Sequence, residues 1–187
     1  MESVVPKPGP WRQTLEELAE RASSTIRVAC PFVKTAGVGV LLERKPPQVT
    51  VHLVSVVKAA HYHRGVSDTD ALRAVLNSGG QVTNNQRLHA KVYLFDETAA
   101  VVTSANLTER GLSSPYEYGV LLRDHSLVAQ VSADFERLCP PEVTGPVGED
   151  ALAEIDSMLA QLPPPARVAY PNIPALEAPP AQDATAP

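Results

Sequence analysis

Residues 87–108 read RLHAKVYLFDETAAVVTSANLT, and they restrict the fold more than any other stretch of the chain. Two runs rich in β-branched and aromatic residues flank a short polar turn, which is the signature of a strand hairpin. Slipping the register of such a hairpin by one residue would turn every side chain to the wrong face. In an extended chain, residues two apart face the same way. His89 and Lys91 therefore share one face, while Ala90, Val92 and Leu94 share the other and can fill a core. Ser104 and Asn106, also two apart, follow the returning strand and are placed to reach the same end of the sheet. A histidine beside a lysine is costly to bury unless something anionic sits there. Imidazole, ammonium, hydroxyl and carboxamide are together the groups needed to hold a phosphate and attack it. No cluster of carboxylates accompanies them, so a site for a hard metal ion is not expected.

The segments around the hairpin alternate between strand and helix patterns. Residues 11–23 place Leu15, Leu18, Ala19 and Ala22 on one helical face. TIRVACPF (25–32) and QVTVHLVSVV (48–57) read as core strands, with a short helix at 36–44 between them. A loop carrying Lys58, His61, His63 and Arg64 precedes a helix at 69–78, for which Ser67 or Asp68 is the expected cap and Gly79-Gly80 the end. A short strand at 81–83, a strand at 116–124 and a helix at 126–139 complete the pattern. Such alternation predicts an α/β fold: a mixed, mostly parallel β-sheet flanked by helices.

Composition sets the limits of this domain. Residues 1–10 hold three prolines and no periodicity, which predicts a flexible lead. Eleven of the 18 prolines lie from residue 140 onward, so the folded domain is expected to span 11–140 and to be followed by a Pro/Ala-rich acidic tail, 141–187, with one possible helix at 149–162. That tail is read as a linker or docking segment to a larger partner or fused domain. It holds seven acids and one base, which leaves residues 1–140 at a net charge of +1 despite −5 overall. The domain is thus not overtly basic, although a local basic cleft is compatible with these totals. No apolar run approaches the roughly 20 residues a membrane span needs, and no secretory signal pattern is visible. The two cysteines, Cys30 and Cys139, match no metal spacing and read as buried thiols in a reducing, cytoplasmic setting.

The pattern His89-x-Lys91, then Asp96, then Thr103-Ser104-x-Asn106 resembles the signature of the phospholipase D superfamily. TIRVACPFV is similar to that family's opening strand, LHAKVYLFD and SANLTERGL resemble its nuclease-like members, and PYEYGVLL resembles the segment that supplies a glutamate, here Glu117. The likeness runs over roughly residues 15–139. The sequence departs from the pattern at Thr103, where many members have glycine, and at Pro115, where many have asparagine. Neither departure removes a group that does chemistry.

The resemblance implies a phospholipase D-like half-unit with one copy of the motif, completed by homodimerisation across a two-fold axis. It implies that one His89 attacks phosphorus to form a phosphohistidine while the other protonates the leaving oxygen and later activates water. Lys91 and Asn106 would hold the non-bridging oxygens, Ser104 would support them, and Glu117 would orient the imidazole. Asp96 is expected to be structural, and no metal or other cofactor is required. Lys58, His61, His63, Arg64 and Arg110 are candidates for substrate contact, with ordinary solvated charge as the alternative. The His61-x-His63 spacing lacks further ligands for a metal. Tyr93, Tyr116 and Tyr118 are assigned to core packing in preference to base stacking.

The function expected is a metal-independent phosphodiesterase or endonuclease acting on nucleic acid, DNA in preference to RNA. The alternatives are a lipid phosphodiesterase or phosphatidyl transferase, and a nucleic-acid-binding module of a larger machine.

Overall fold

The structure, a computed structural model, describes residues 2–166 and 171. Strand β1 (Val4–Pro8) and helix α1 (Arg12–Arg21) lead into β2 (Thr25–Ala29), α2 (Thr35–Leu42) and β3 (Thr50–Ser55). Helices α3 (Ala59–His63) and α4 (Thr69–Asn77) precede β4 (Gln81–Asn85). The hairpin strands β5 (Val92–Phe95) and β6 (Ala99–Thr103) follow, then α5 (Glu109–Ser113), β7 (Tyr118–Leu122) and α6 (His125–Glu136). The described chain closes with β8 (Thr144–Pro146) and α7 (Glu149–Ala160).

One eight-stranded sheet, in the order β1-β7-β6-β5-β2-β3-β4-β8, runs through the molecule. The sheet is mixed, as expected, but antiparallel pairing dominates, which corrects the mostly parallel expectation. Only β2–β3 and β3–β4 are parallel. Those are the pairs joined by helical crossovers, α2 for the first and α3–α4 for the second, and parallel neighbours need such connections. The tight β5–β6 turn forces an antiparallel pair, and β7 and β1 extend that side in the same sense.

Both faces of the sheet are covered, unequally. Ile26, Val28, Leu53, Tyr93, Phe95 and Val101 turn one way, onto Trp11 at the start of α1, Leu15 of α1, Leu41 of α2 and Leu72 of α4. Ala29, Val54, Leu94 and Ala100 turn the other way, onto Val128 and Phe135 of α6. Among the described residues α6 is the only helix packed on that second face. It leaves part of β6 and β7 uncovered: Val102 is 40% exposed and Tyr118 58%.

The ends of the chain also differ from expectation. Residues 4–8 are not a flexible lead but an edge strand paired with β7 from Val4↔Leu122 to Pro8↔Tyr118. Pro6 and Pro8 are tolerated there because an edge strand has a side that needs no N–H donors. Residues 144–160 are not a detached tail either. β8 pairs with β4, Val147 and Leu152 are buried, and Arg73 of α4 binds Glu149 at 2.8 Å and Asp156 at 2.6 Å. Part of the acidity of this segment is thus the counter-charge of Arg73. The expected helix at 149–162 is α7. Most of the Pro/Ala stretch beyond it, 167–170 and 172–187, lies outside the described residues.

Candidate active site

The site is assembled by strand direction. β2, β3, β4 and β6 end where β5 and β7 begin, so the residues just outside those ends gather at one edge of the sheet. His89 and Lys91 lie in the extended run entering β5, one step short of the strand proper. Thr103 donates its N–H to the Lys91 carbonyl at 3.1 Å and pairs with Gly119 on its other side. This ladder aligns the lead into β5, the exit of β6 with Ser104 and Asn106, and the start of β7 with Glu117.

His89 is exposed rather than buried, and its imidazole has no hydrogen-bond partner among the described residues. Lys91 is half-buried and donates from Nζ to the His89 carbonyl at 3.0 Å. The Ser104 hydroxyl donates to the Glu117 carboxylate and accepts the Tyr118 N–H at 3.0 Å. Within one chain Glu117 therefore engages Ser104, not the imidazole it was expected to orient. Thr103 occupies the position where a glycine was noted in similar proteins. Its hydroxyl donates to the Tyr118 carbonyl at 3.0 Å and accepts the Ala105 N–H at 3.2 Å. The missing space is supplied across the ladder by Gly119, where a Cβ would stand 2.6 Å from the Thr103 Cβ.

Asn106 is held from below. Cys30, just past β2, accepts the Leu107 N–H at 3.1 Å, and its thiol lies 3.3 Å from the Phe32 carbonyl and 3.6 Å from Asn106 Oδ1. Burial pushes this thiol up to about 11, only partly offset by the Leu107 N–H, so it keeps its proton and acts as a donor. With Oδ1 turned toward Cys30, the Asn106 amide group is left to donate elsewhere. Tyr93 Oη, fully buried, donates to the Ala105 carbonyl at 3.0 Å and steadies the same turn. Sequence reasoning had treated Cys30 as an inert core thiol. Its place directly after a strand that points into the site was the available signal.

The remaining candidates divide. Arg110 on α5 lines a cleft that Asn106 also borders. His61 sits on α3, a short helix where a loop was expected, with its ring edge-on to Phe32 at 5.1 Å. Burial, then Lys58 and Arg64, lower its pKa, which favours the neutral ring. Lys58 reaches the Gln86 carbonyl at 3.1 Å, His63 Nε2 contacts the Pro163 carbonyl at 2.7 Å, and Arg64 is exposed at the end of α3. Asp96 lies at the opposite end of β5. Its carboxylate accepts N–H groups of Ser23, Ser24 and Thr25 at 2.8–2.9 Å, and its φ of 52° makes the turn. Asp68 is the N-cap residue of α4, as expected, but its side chain makes no cap hydrogen bond there; it reaches Lys34 Nζ at 3.2 Å and the Thr35 N–H at 3.3 Å. Tyr93 is core, as expected. Tyr116 is not: it is 95% exposed, and it and Tyr118 flank Glu117. No group of three or more His, Cys, Asp or Glu side chains among the described residues is arranged to hold a metal ion.

Comparison with known proteins bears on the family and the fold. The family model described as cardiolipin synthase, PLD-like domain, matches residues 15–139. No curated protein matches the sequence. Among solved structures the chain is similar to Nuc, a phospholipase D family member from Salmonella typhimurium, at 18% identity and a TM-score of 0.63, over 78% of this chain and 97% of that one. It is similar to phosphatidylserine synthase from Haemophilus influenzae Rd KW20 at 15% identity and a TM-score of 0.57, over 84% of this chain and 44% of that one. It is also similar to TrmBL2, an archaeal chromatin protein described with a novel mode of DNA binding, at 17% identity and a TM-score of 0.54, over 79% of this chain and 54% of that one.

Proposed function

Given that the chain belongs to the phospholipase D superfamily, whose chemistry is at phosphodiesters, we propose that it is a metal-independent nuclease whose active site is shared by two copies of the chain. The observation that carries this reading is the ladder through Lys91, Thr103 and Gly119, which brings His89 and Lys91 beside Ser104, Asn106 and Glu117 at one sheet edge.

The chemistry divides into two displacements. A ring nitrogen of one His89 attacks phosphorus, the bond to the leaving oxygen breaks, and the second copy's His89 gives that oxygen a proton. The second histidine, now neutral, takes a proton from water. The resulting hydroxide displaces the first histidine from phosphorus and releases a phosphomonoester. Lys91 Nζ and the Asn106 amide supply charge and donors for the non-bridging oxygens in both transition states. Ser104 and Glu117 keep the exit of β6 in register with β7 and thereby position Asn106.

Dimerisation is supported by what one copy leaves open. It has one histidine where the mechanism uses two. Val102 and Tyr118 are exposed on the thinly covered side of the sheet, and Tyr116, in the turn before β7, is exposed as well. Similarity over nearly the whole of Nuc supports a short single-motif member. The DNA-binding description of TrmBL2 favours nucleic acid as partner, DNA ahead of RNA.

A phosphatidyl-transfer reading has its own support in the family model's description and in the likeness to phosphatidylserine synthase, of which the chain spans under half. No helix among the described residues is long and apolar enough to cross a membrane. The test is turnover in excess chelator of single-stranded DNA, duplex DNA, RNA and a phosphatidyl lipid, with wild type beside His89→Ala. Cleavage of a nucleic acid by wild type alone supports the proposal. Lipid turnover alone replaces it with the second reading, and specific DNA binding without any turnover replaces it with a binding module.

A further inference from the structure

Beside Asn106 opens a cleft of about 500 Å³, walled by Phe32 and Val66 and bordered by Lys34, Asn106 and Arg110. That volume falls in the range of roughly 300–1,000 Å³ typical of small-molecule sites. None of the catalytic steps uses Phe32, Val66 or Lys34. We propose that this cleft is a subsite for one unstacked nucleobase next to the scissile phosphate, and that it makes the enzyme selective for single strands. The inference rests on the nuclease reading and names the form of nucleic acid that the site accepts.

Four features argue for a base. Phe32, half-buried, presents an aromatic wall, and its ring is backed by the edge of His61 at 5.1 Å. Neutrality of His61, favoured by burial and the neighbouring cations, keeps that wall free of charge. Val66 supplies a second apolar surface and is 39% exposed. Gly65 places no side chain over the opening, and its φ of +66° is a conformation that disfavours other residues.

The rim is charged. Lys34, 3.2 Å from Asp68, and exposed Arg110 and Glu109 line the cleft. An acyl chain would require a continuous apolar lining, which this rim interrupts. A nucleotide requires a stacking surface beside cations for its phosphates. Asn106 borders both this cleft and the catalytic edge, so a base held here is adjacent to the phosphate that His89 would attack. Every base has a π face, so stacking alone confers little preference among bases. It does require the base to be out of a duplex stack.

The experiment uses a single-stranded oligonucleotide in which all linkages but one are blocked as methylphosphonates. Versions with an abasic nucleotide on the 5′ or the 3′ side of the open linkage are compared with the intact strand and with its duplex. For wild type, abasic replacement on one side is expected to lower kcat/KM on the order of 10-fold, in keeping with base–aromatic stacking, and the duplex is expected to be cut more slowly than the strand. In Phe32→Leu the difference between intact and abasic strands is expected to vanish. Equal cleavage of intact and abasic strands by wild type, or an undiminished difference in Phe32→Leu, overturns the subsite and leaves the nuclease reading standing. Failure to cut any strand, with turnover of the phosphatidyl lipid, overturns the nuclease reading and the subsite with it.

Discussion

The Ser104 hydroxyl bridges two strands: it donates to the Glu117 carboxylate and accepts the Tyr118 N–H. A charge-assisted hydrogen bond of this kind contributes about 1.5–3 kcal/mol. If Glu117 acts through Ser104, Glu117→Gln and Ser104→Ala are each expected to lower kcat by about 10–100-fold. The double variant is then expected to be little worse than either single one, because both remove the same link. Strictly multiplicative losses would show that Glu117 acts separately, as on the imidazole.

We propose that Asp96 serves the fold and not the reaction. Burial pushes its carboxyl up, but the N–H groups of Thr25, Ser23 and Ser24 and the Ser23 hydroxyl outweigh this and hold it below the usual carboxylate range. Its folded pKa is thus below the unfolded one. The stabilisation is complete above about pH 4 and is lost as pH falls through the folded value. Asp96→Asn is expected to lower stability at neutral pH by about 1–3 kcal/mol, with denaturant midpoints converging on wild type under acid conditions. A constant gap at all pH values would contradict the assignment.

Gly111 touches the site through its missing side chain. A Cβ there would stand 2.5 Å from the Asn106 carbonyl oxygen and 3.0 Å from its nitrogen. Gly111→Ala is expected to cost turnover by at least about 10-fold through displacement of Asn106, with a loss of stability of about 1–3 kcal/mol from overpacking. Steady-state kinetics alongside thermal melting separates the two. Full activity in a folded Gly111→Ala would mean that the position of Asn106 does not matter.

Residues 144–160 are integral to the fold. Leu152 is fully buried against the core, so Leu152→Ala is expected to cost about 2–5 kcal/mol. A chain ending at residue 140 loses β8, Val147, Leu152 and two of the three acidic partners of Arg73, Glu149 and Asp156, and is expected to melt well below a chain ending at residue 166. Equal melting temperatures for the two truncations would contradict this.

The hairpin and the residues it presents were legible because a period-two apolar pattern and a fixed spacing both act locally. Helices α1, α2, α4 and α6 were legible for the same reason. What escaped was set by partners distant in sequence. Pro6 and Pro8 look like breakers until β7 supplies an edge to pair with. Glu149 and Asp156 look like tail acidity until Arg73 is placed beside them. Parallel against antiparallel pairing depended on which strands became neighbours, and the hairpin already contained part of that answer. Cys30 and Phe32 became relevant only once β2 was seen to end beneath Asn106. Tyr116 and Tyr118 carry core-like composition but are exposed among the described residues.

The stereochemistry at phosphorus tests the proposed covalent intermediate on His89 most directly. A phosphorothioate diester of one known configuration would be hydrolysed by the wild type in ¹⁸O-enriched water, in excess chelator, and the configuration of the product determined. Two in-line displacements, first by His89 and then by water, give net retention, which is the expected result. Net inversion would mean that water attacks phosphorus directly, and would contradict a phosphohistidine mechanism.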